Sequence, residues 1–196
     1  MNSSSDQLVR ELRSVGVDVS DVWDLVNSKL QYYLAVPILI DWLEHIDERV
    51  EKIDRDRLLE GIIRALSVPV AKPTAAPMLI SLYSKEYEMG NKNLLWAIGN
   101  ALSVVADDSS FLKLVEFARD RRYGTSRQMI VLGFGNSKRP EAIPLLVELL
   151  DDDEVNLQAL TALSKLDPSN IRDLIGKLEN HPNKVIQRAL VKILSK

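Results

Sequence analysis

The chain has no cysteine and only two histidines in 196 residues. Without cysteine there is no disulfide framework, no thiolate metal site and no cysteine nucleophile, a composition compatible with a reducing cytoplasm. Glycine and proline, at 8 each, exclude a collagen-like or low-complexity chain. Aromatics make up 6% of the residues, thin for most β-sandwiches or barrels. The longest apolar run, Tyr32 to Ile40, is far shorter than the roughly 20 residues a membrane helix needs. The N-terminus lacks the basic start and apolar stretch of a signal peptide, so a soluble cytoplasmic protein with no membrane partner is expected.

No strong charge of one sign is present either: the net charge is -3. That value averages an acidic start (residues 1–66, net -5), a basic middle (67–140, net +4) and an acidic end (141–196, net -2). A strongly basic nucleic-acid binder is disfavoured by the total, while the middle keeps the possibility open.

What is present is helical periodicity, with almost no strand-like alternation. The clearest segment runs from Glu141 to Lys165, as AIPLLVELL, then DDDEVN, then LQALTALSKL. Ile143, Leu146, Val147 and Leu150 share one helical face, and Leu157, Leu160 and Leu163 form a second stripe with small Ala159 and Ala162 between. The acidic break is expected to cap the second helix and favour its positive end.

This helix pair recurs. First helices align at Pro37, Pro77, Leu112, Pro144 and Asp173, and second helices at Ile62, Ile98, Ile130, Ala159 and Ala189. Four residues after the latter stand Leu66, Leu102, Phe134, Leu163 and Ile193, apolar in every copy. The repeated proline is expected inside the first helix, kinking it. Ahead of the repeats, Ser5–Val15 reads as an amphipathic helix ended by Gly16, and Asp21–Asn27 as a short second helix starting at Ser20, together capping the array.

The pattern xxxPLLxxLxDxxxxVxxxAxxALxxL resembles HEAT repeats, especially the short bacterial HEAT-like type, over about residues 31–196. The third copy, Ser110 to Gly135, departs most, with no proline and with Gly133 and Gly135 where larger residues are usual. The segment from Val22 to Asn27 followed by Pro37–Ile40 is also similar to the start of a group of bacterial HEAT-repeat proteins, which implies a scaffold and not a chemistry. The resemblance implies an all-α, right-handed α-solenoid of about five helical hairpins (31–70, 71–106, 107–138, 139–167 and 168–196) behind a helical cap at 1–30. They would form one continuous domain, with the second helices lining a concave groove.

Constellations that carry chemistry are sparse. His45 and His181 are far apart, with no H-E-x-x-H and no repeated His-Glu dyads, so no metal is expected. Gly133-Phe134-Gly135-Asn136 holds only a GxG and follows no strand; two glycines ending a helix and forming a turn explain it. G-x-S-x-G is absent, and the pairs Asp107-Asp108 and Asp151-Asp152-Asp153-Glu154 stand where helices start, so capping accounts for them. No catalytic residue and no cofactor is assigned.

Two features suggest binding. The first is a basic patch, Arg119, Arg121, Arg122, Lys138 and Arg139, with Arg127 between. It admits a solvated inter-helix turn, an acidic protein partner or a nucleic acid, the last by neutralising phosphates. The second is Trp96, whose column across the second helices is Glu60, Trp96, Gln128, Leu157 and Gln187. A mostly polar column puts Trp96 on the solvent side, unless a neighbouring loop covers it. With Arg64, Asn100, Arg127 and Gln128 it forms a candidate hot spot for a protein or peptide partner. A protein-binding scaffold is the leading expectation. The alternatives are a DNA-repair-like nucleic-acid binder and a lyase-type chaperone for a tetrapyrrole, which some bacterial HEAT-like proteins resemble.

Overall fold

Leu8, Val9 and Leu12 fall on one side of α1 (Ser4–Ser14), and all three are buried. The helix ends at Gly16, whose φ of +85° only glycine adopts without cost. Asp21 and Asp24 then cap a single 3-10 turn, Val22–Leu25: Asp21 accepts the Trp23 N–H at 3.1 Å and Asp24 accepts the N–H of Asp21 at 3.0 Å. These are the elements expected as the N-terminal cap.

The structure is a computed structural model that describes residues 4–166 and, beyond them, positions 184, 187 and 188. The fifth expected hairpin, 168–196, with Asp173, His181, Ala189 and Ile193, otherwise lies outside the described residues. Among the described residues the chain is all-helical, with no strand. It divides into two compact units at Asp107/Asp108, where the third hairpin was expected to begin.

In the first unit the cap is followed by α2 (Val36–Glu44), the one-turn α3 (Ile46–Arg49), α4 (Lys52–Ala65), α5 (Ala76–Glu88) and α6 (Lys92–Val105). α5 packs on α6, α4 lies beside α6, and α2 touches both α4 and α5. In the second unit α7 (Phe111–Arg119) packs on α8 (Gln128–Gly133), α9 (Ala142–Glu148) packs on α10 (Asn156–Lys165), and α8 lies beside α10.

Burial follows the repeat columns. Ile62, Ile98, Ile130 and Ala159 are buried, as are Leu66, Leu102, Phe134 and Leu163 four residues later. Pro37, Pro77, Leu112 and Pro144 are all exposed. The deviant third copy keeps this register, with Phe111 and Phe134 meeting edge to face at 5.5 Å between ring centroids, a geometry that adds about 1 kcal/mol beyond burial.

The prolines do not kink their helices. Pro37 and Pro77 occupy the second position of α2 and α5, and Pro144 the third position of α9. There the backbone N–H has no partner inside the helix, so proline removes nothing and presets φ.

Two glycines are explained by close approach. At Gly61, inside α4, a Cβ would lie 2.7 Å from Val22 Cγ1 and 2.9 Å from Trp23 Nε1, so the cap seats directly on the helix. At Gly135 it would lie 2.9 Å from the Cα of Ala162. The GxG at 133–135 does end a helix, as expected, but Gly135 is there because α10 backbone leaves no room for a side chain.

Candidate functional site: the α4–α6 face

α6 turns Leu95, Ile98 and Leu102 into the core, which leaves Lys92, Asn93, Trp96 and Asn100 on its other side. Trp96 is 43% exposed and makes no hydrogen bond or ring contact among the described residues. The other two tryptophans are committed to structure. Trp42 is fully buried, donates its indole N–H to Glu11 at 2.7 Å and lies under the Arg49 guanidinium, while Trp23 packs over Gly61.

The expected solvent-side column is on the solvent side. Trp96 and Leu157 are exposed, and Glu60, Gln128 and Gln187 are half-exposed. In the first unit α4 presents Glu60 and Arg64, paired at 2.7 Å. Asn100 donates to Ser67 Oγ at 3.2 Å, tying α6 to the end of α4. One turn before Trp96, a cleft of about 350 Å3 opens between Asp56, Arg57 and Glu60 of α4 and Gly90–Leu94 at the start of α6.

Arg127 does not belong to a binding face. It is wholly buried in the second unit, where it bonds the carbonyls of Gly124 (2.9 Å) and Ala118 (3.0 Å), Asp152 (2.9 Å) and Glu154 (2.7 Å). Its guanidinium holds the α9–α10 connection against the turn after α7. Gln128, also in that unit, donates to the Glu154 carbonyl at 2.9 Å. Asp152, expected as a helix cap, is instead mainly the partner of Arg127, and its other oxygen accepts the Glu154 N–H at 3.1 Å.

The basic patch is interleaved with carboxylates. Arg119 pairs with Glu148 (2.6 Å), Arg121 with Asp152 (3.3 Å), Arg122 with Asp120 (2.6 Å) and Arg139 with Glu141 (2.9 Å). Arg139 also covers the Phe111 ring at 4.8 Å. Lys138 is exposed and has no carboxylate partner among the described residues.

Sequence reasoning missed a second buried network. Arg55 and Glu86, 6% and 0% exposed, meet at 2.6 Å. Asp47 accepts Arg55 Nε at 2.5 Å, and the Asn91 amide donates to Glu86 at 2.6 Å. The signal was present: Arg55 stands seven residues before Ile62, and Glu86 seven after Leu79, both on core-facing stripes.

These networks shift protonation. Burial alone would raise the Asp152 carboxyl, but the Arg127 hydrogen bond and the Glu154 amide hold it below the usual aspartate range. Asp47 is lowered likewise, first by Arg55 and then by Lys85. A folded pKa below the unfolded one adds stability that is complete above the ordinary aspartate value of about 3.9 and drains away as pH falls through the folded value. The melting temperature should therefore hold from neutral pH to about pH 5 and drop steeply below about pH 4. Asp152→Asn should melt lower at neutral pH and lose less on acidification. Parallel pH curves for variant and wild type, followed by circular dichroism, would contradict this.

His45 caps the end of α2, with Nδ1 at 2.9 Å from the Asp41 carbonyl. Among the described residues no group of histidines and carboxylates is placed to hold a metal ion, and no helix is long and apolar enough to cross a membrane. No protein-family model matches the chain, no curated protein matches its sequence and no solved structure matches its fold.

Proposed function

We propose that the chain is a HEAT-like α-solenoid module that works without catalysis, as a protein-interaction scaffold gripping its partner on the second-helix face. The observation that carries this reading is Trp96. It is a large indole left 43% exposed on a helix whose leucines and isoleucine are all buried, with polar side chains on either side of it. An exposed aromatic framed by polar groups is the usual composition of a binding hot spot. Side-by-side packing of α4 with α6 and of α8 with α10 supports the stacked-hairpin arrangement. So do buried Arg–carboxylate pairs that join successive hairpins in each unit.

The nucleic-acid alternative draws less support. Phosphate binding relies on cations free to replace counterions, and each arginine of the basic stretch already faces a carboxylate. For the tetrapyrrole alternative no feature of the described residues speaks.

The test is capture of a partner from a lysate of the source organism. Trp96→Ala should cost about 2 kcal/mol of binding or more, roughly thirtyfold in affinity, with the melting temperature unchanged. Arg64→Ala should weaken capture to a smaller degree. Full retention of the partner by both variants would sink the proposal.

A further inference from the structure

A second exposed face of the first unit lies at the starts of α2 and α5. Tyr32 is buried and donates its hydroxyl to the Ala65 carbonyl at 2.8 Å, which pins the loop ahead of α2 to the end of α4. That anchor leaves its neighbours Leu30, Tyr33 and Leu34 in solvent, 51%, 62% and 52% exposed, with Pro37 exposed one turn on. The next hairpin repeats the stripe at the equivalent positions, Val70, Pro73, Thr74 and Pro77, all exposed. α2 touches α5, so the two stripes are neighbours. Single exposed apolar residues are ordinary, whereas a gathered set marks a docking face.

The charge of this face is one-sided. No acidic residue occurs between Asp24 and Asp41 or between Glu60 and Glu86, the segments that build it. Lys29 and Lys72, beside Leu30 and Val70 in the chain, are exposed and have no carboxylate partner among the described residues. The other cations of these segments, Arg64 and Lys85, are held by Glu60 and Asp47. The unit as a whole is acidic, with 11 basic against 16 acidic residues across Met1–Asp107.

We infer that this face docks an acidic amphipathic segment of a partner protein. Its apolar side chains cover Leu30, Tyr33, Leu34 and Val70, and its carboxylates meet Lys29 and Lys72. The inference is independent of Trp96 and adds a contact surface on the first-helix side. Unpaired cations with no acid between them select an anionic occupant. An anionic bilayer is repelled by the surplus acids of the unit, and two lysines give it little hold. A second copy of the chain would bring lysine against lysine across the contact.

The probe is the blocked peptide Ac-ELEELLEELLE-NH2, whose leucines recur at helical spacing, compared with versions carrying glutamine or lysine in place of every glutamate. It is titrated into the full 15N-labelled chain and followed at the backbone amides of Leu30, Leu34 and Val70. Those resonances should shift saturably, with the acidic peptide about fivefold tighter than the glutamine peptide at low salt, since an exposed ion pair contributes up to about fivefold. Leu34→Ser should weaken binding about tenfold with the melting temperature unchanged. Lys29→Glu/Lys72→Glu should erase the preference, and Trp96→Ala should change neither. No saturable shift, shifts confined to other residues, or equal affinity for the acidic and lysine peptides overturns the inference. Loss of peptide binding in Trp96→Ala overturns it too, because the peptide would then sit on the α4–α6 face. So does sedimentation with phosphatidylserine vesicles, or self-association, that Leu34→Ser abolishes, because a lipid surface or a second copy would then be the occupant.

Discussion

Arg127→Ala should destabilise the second unit by about 3–5 kcal/mol, the range for stripping one partner from a buried ion pair. The guanidinium is 0% exposed and serves four acceptors. Its removal takes from the buried carboxylate of Asp152 its closest cation and leaves two carbonyls unpaired with it in a space that alanine cannot fill. Arg127→Lys should recover only part of the loss, because one ammonium cannot reach acceptors spread around a planar fork. Trp23, Trp42 and Trp96 all lie in the first unit. Urea unfolding must therefore be followed by far-ultraviolet circular dichroism, with tryptophan fluorescence reporting the first unit alone. A dichroism midpoint within error of wild type would show that Arg127 is not buried in the way described.

Glu86→Ala should have a similar effect on the first unit, again about 3–5 kcal/mol. It leaves Arg55, whose side chain is 7% exposed, without its 2.6 Å partner and frees the Asn91 amide. Tryptophan fluorescence reads this transition directly. The double variant Arg55→Met/Glu86→Leu should lie closer to wild type than either single change, since removing both charges also removes the desolvation cost of each. A double variant as unstable as the sum of the singles would mean that the two side chains act independently. That outcome would contradict the 2.6 Å contact.

The loss should reach the candidate site as well. Asn91 begins the turn that lines the cleft, and its side chain is held by Glu86. The buried pair and the binding face thus share a strut. Variants at Glu86 are poor probes of binding for that reason, whereas Lys92 and Trp96 project from α6 without supporting its core.

Much of this protein is legible from sequence because a helix facing a core repeats its apolar positions at a fixed period. The columns Ile62–Ile98–Ile130–Ala159 and Leu66–Leu102–Phe134–Leu163 marked the buried side. The polar column through Glu60, Trp96 and Gln128 marked the solvent side, and Gly16 marked the end of the first cap helix, while the second cap element, expected to start at Ser20, is a 3-10 turn capped by Asp21. Each of these follows from local geometry acting on neighbouring residues. What only the tertiary structure decided is which polar side chains meet across helices. Arg127 and Arg119 look alike in a run of arginines, yet one is sealed among four acceptors and the other pairs at the surface with Glu148. Periodicity places a side chain on a face; it carries no information on whether a carboxylate 25 residues away arrives within 3 Å of it. Burial of charge is settled by that arrival, because a guanidinium leaves water only where its partners are already in place.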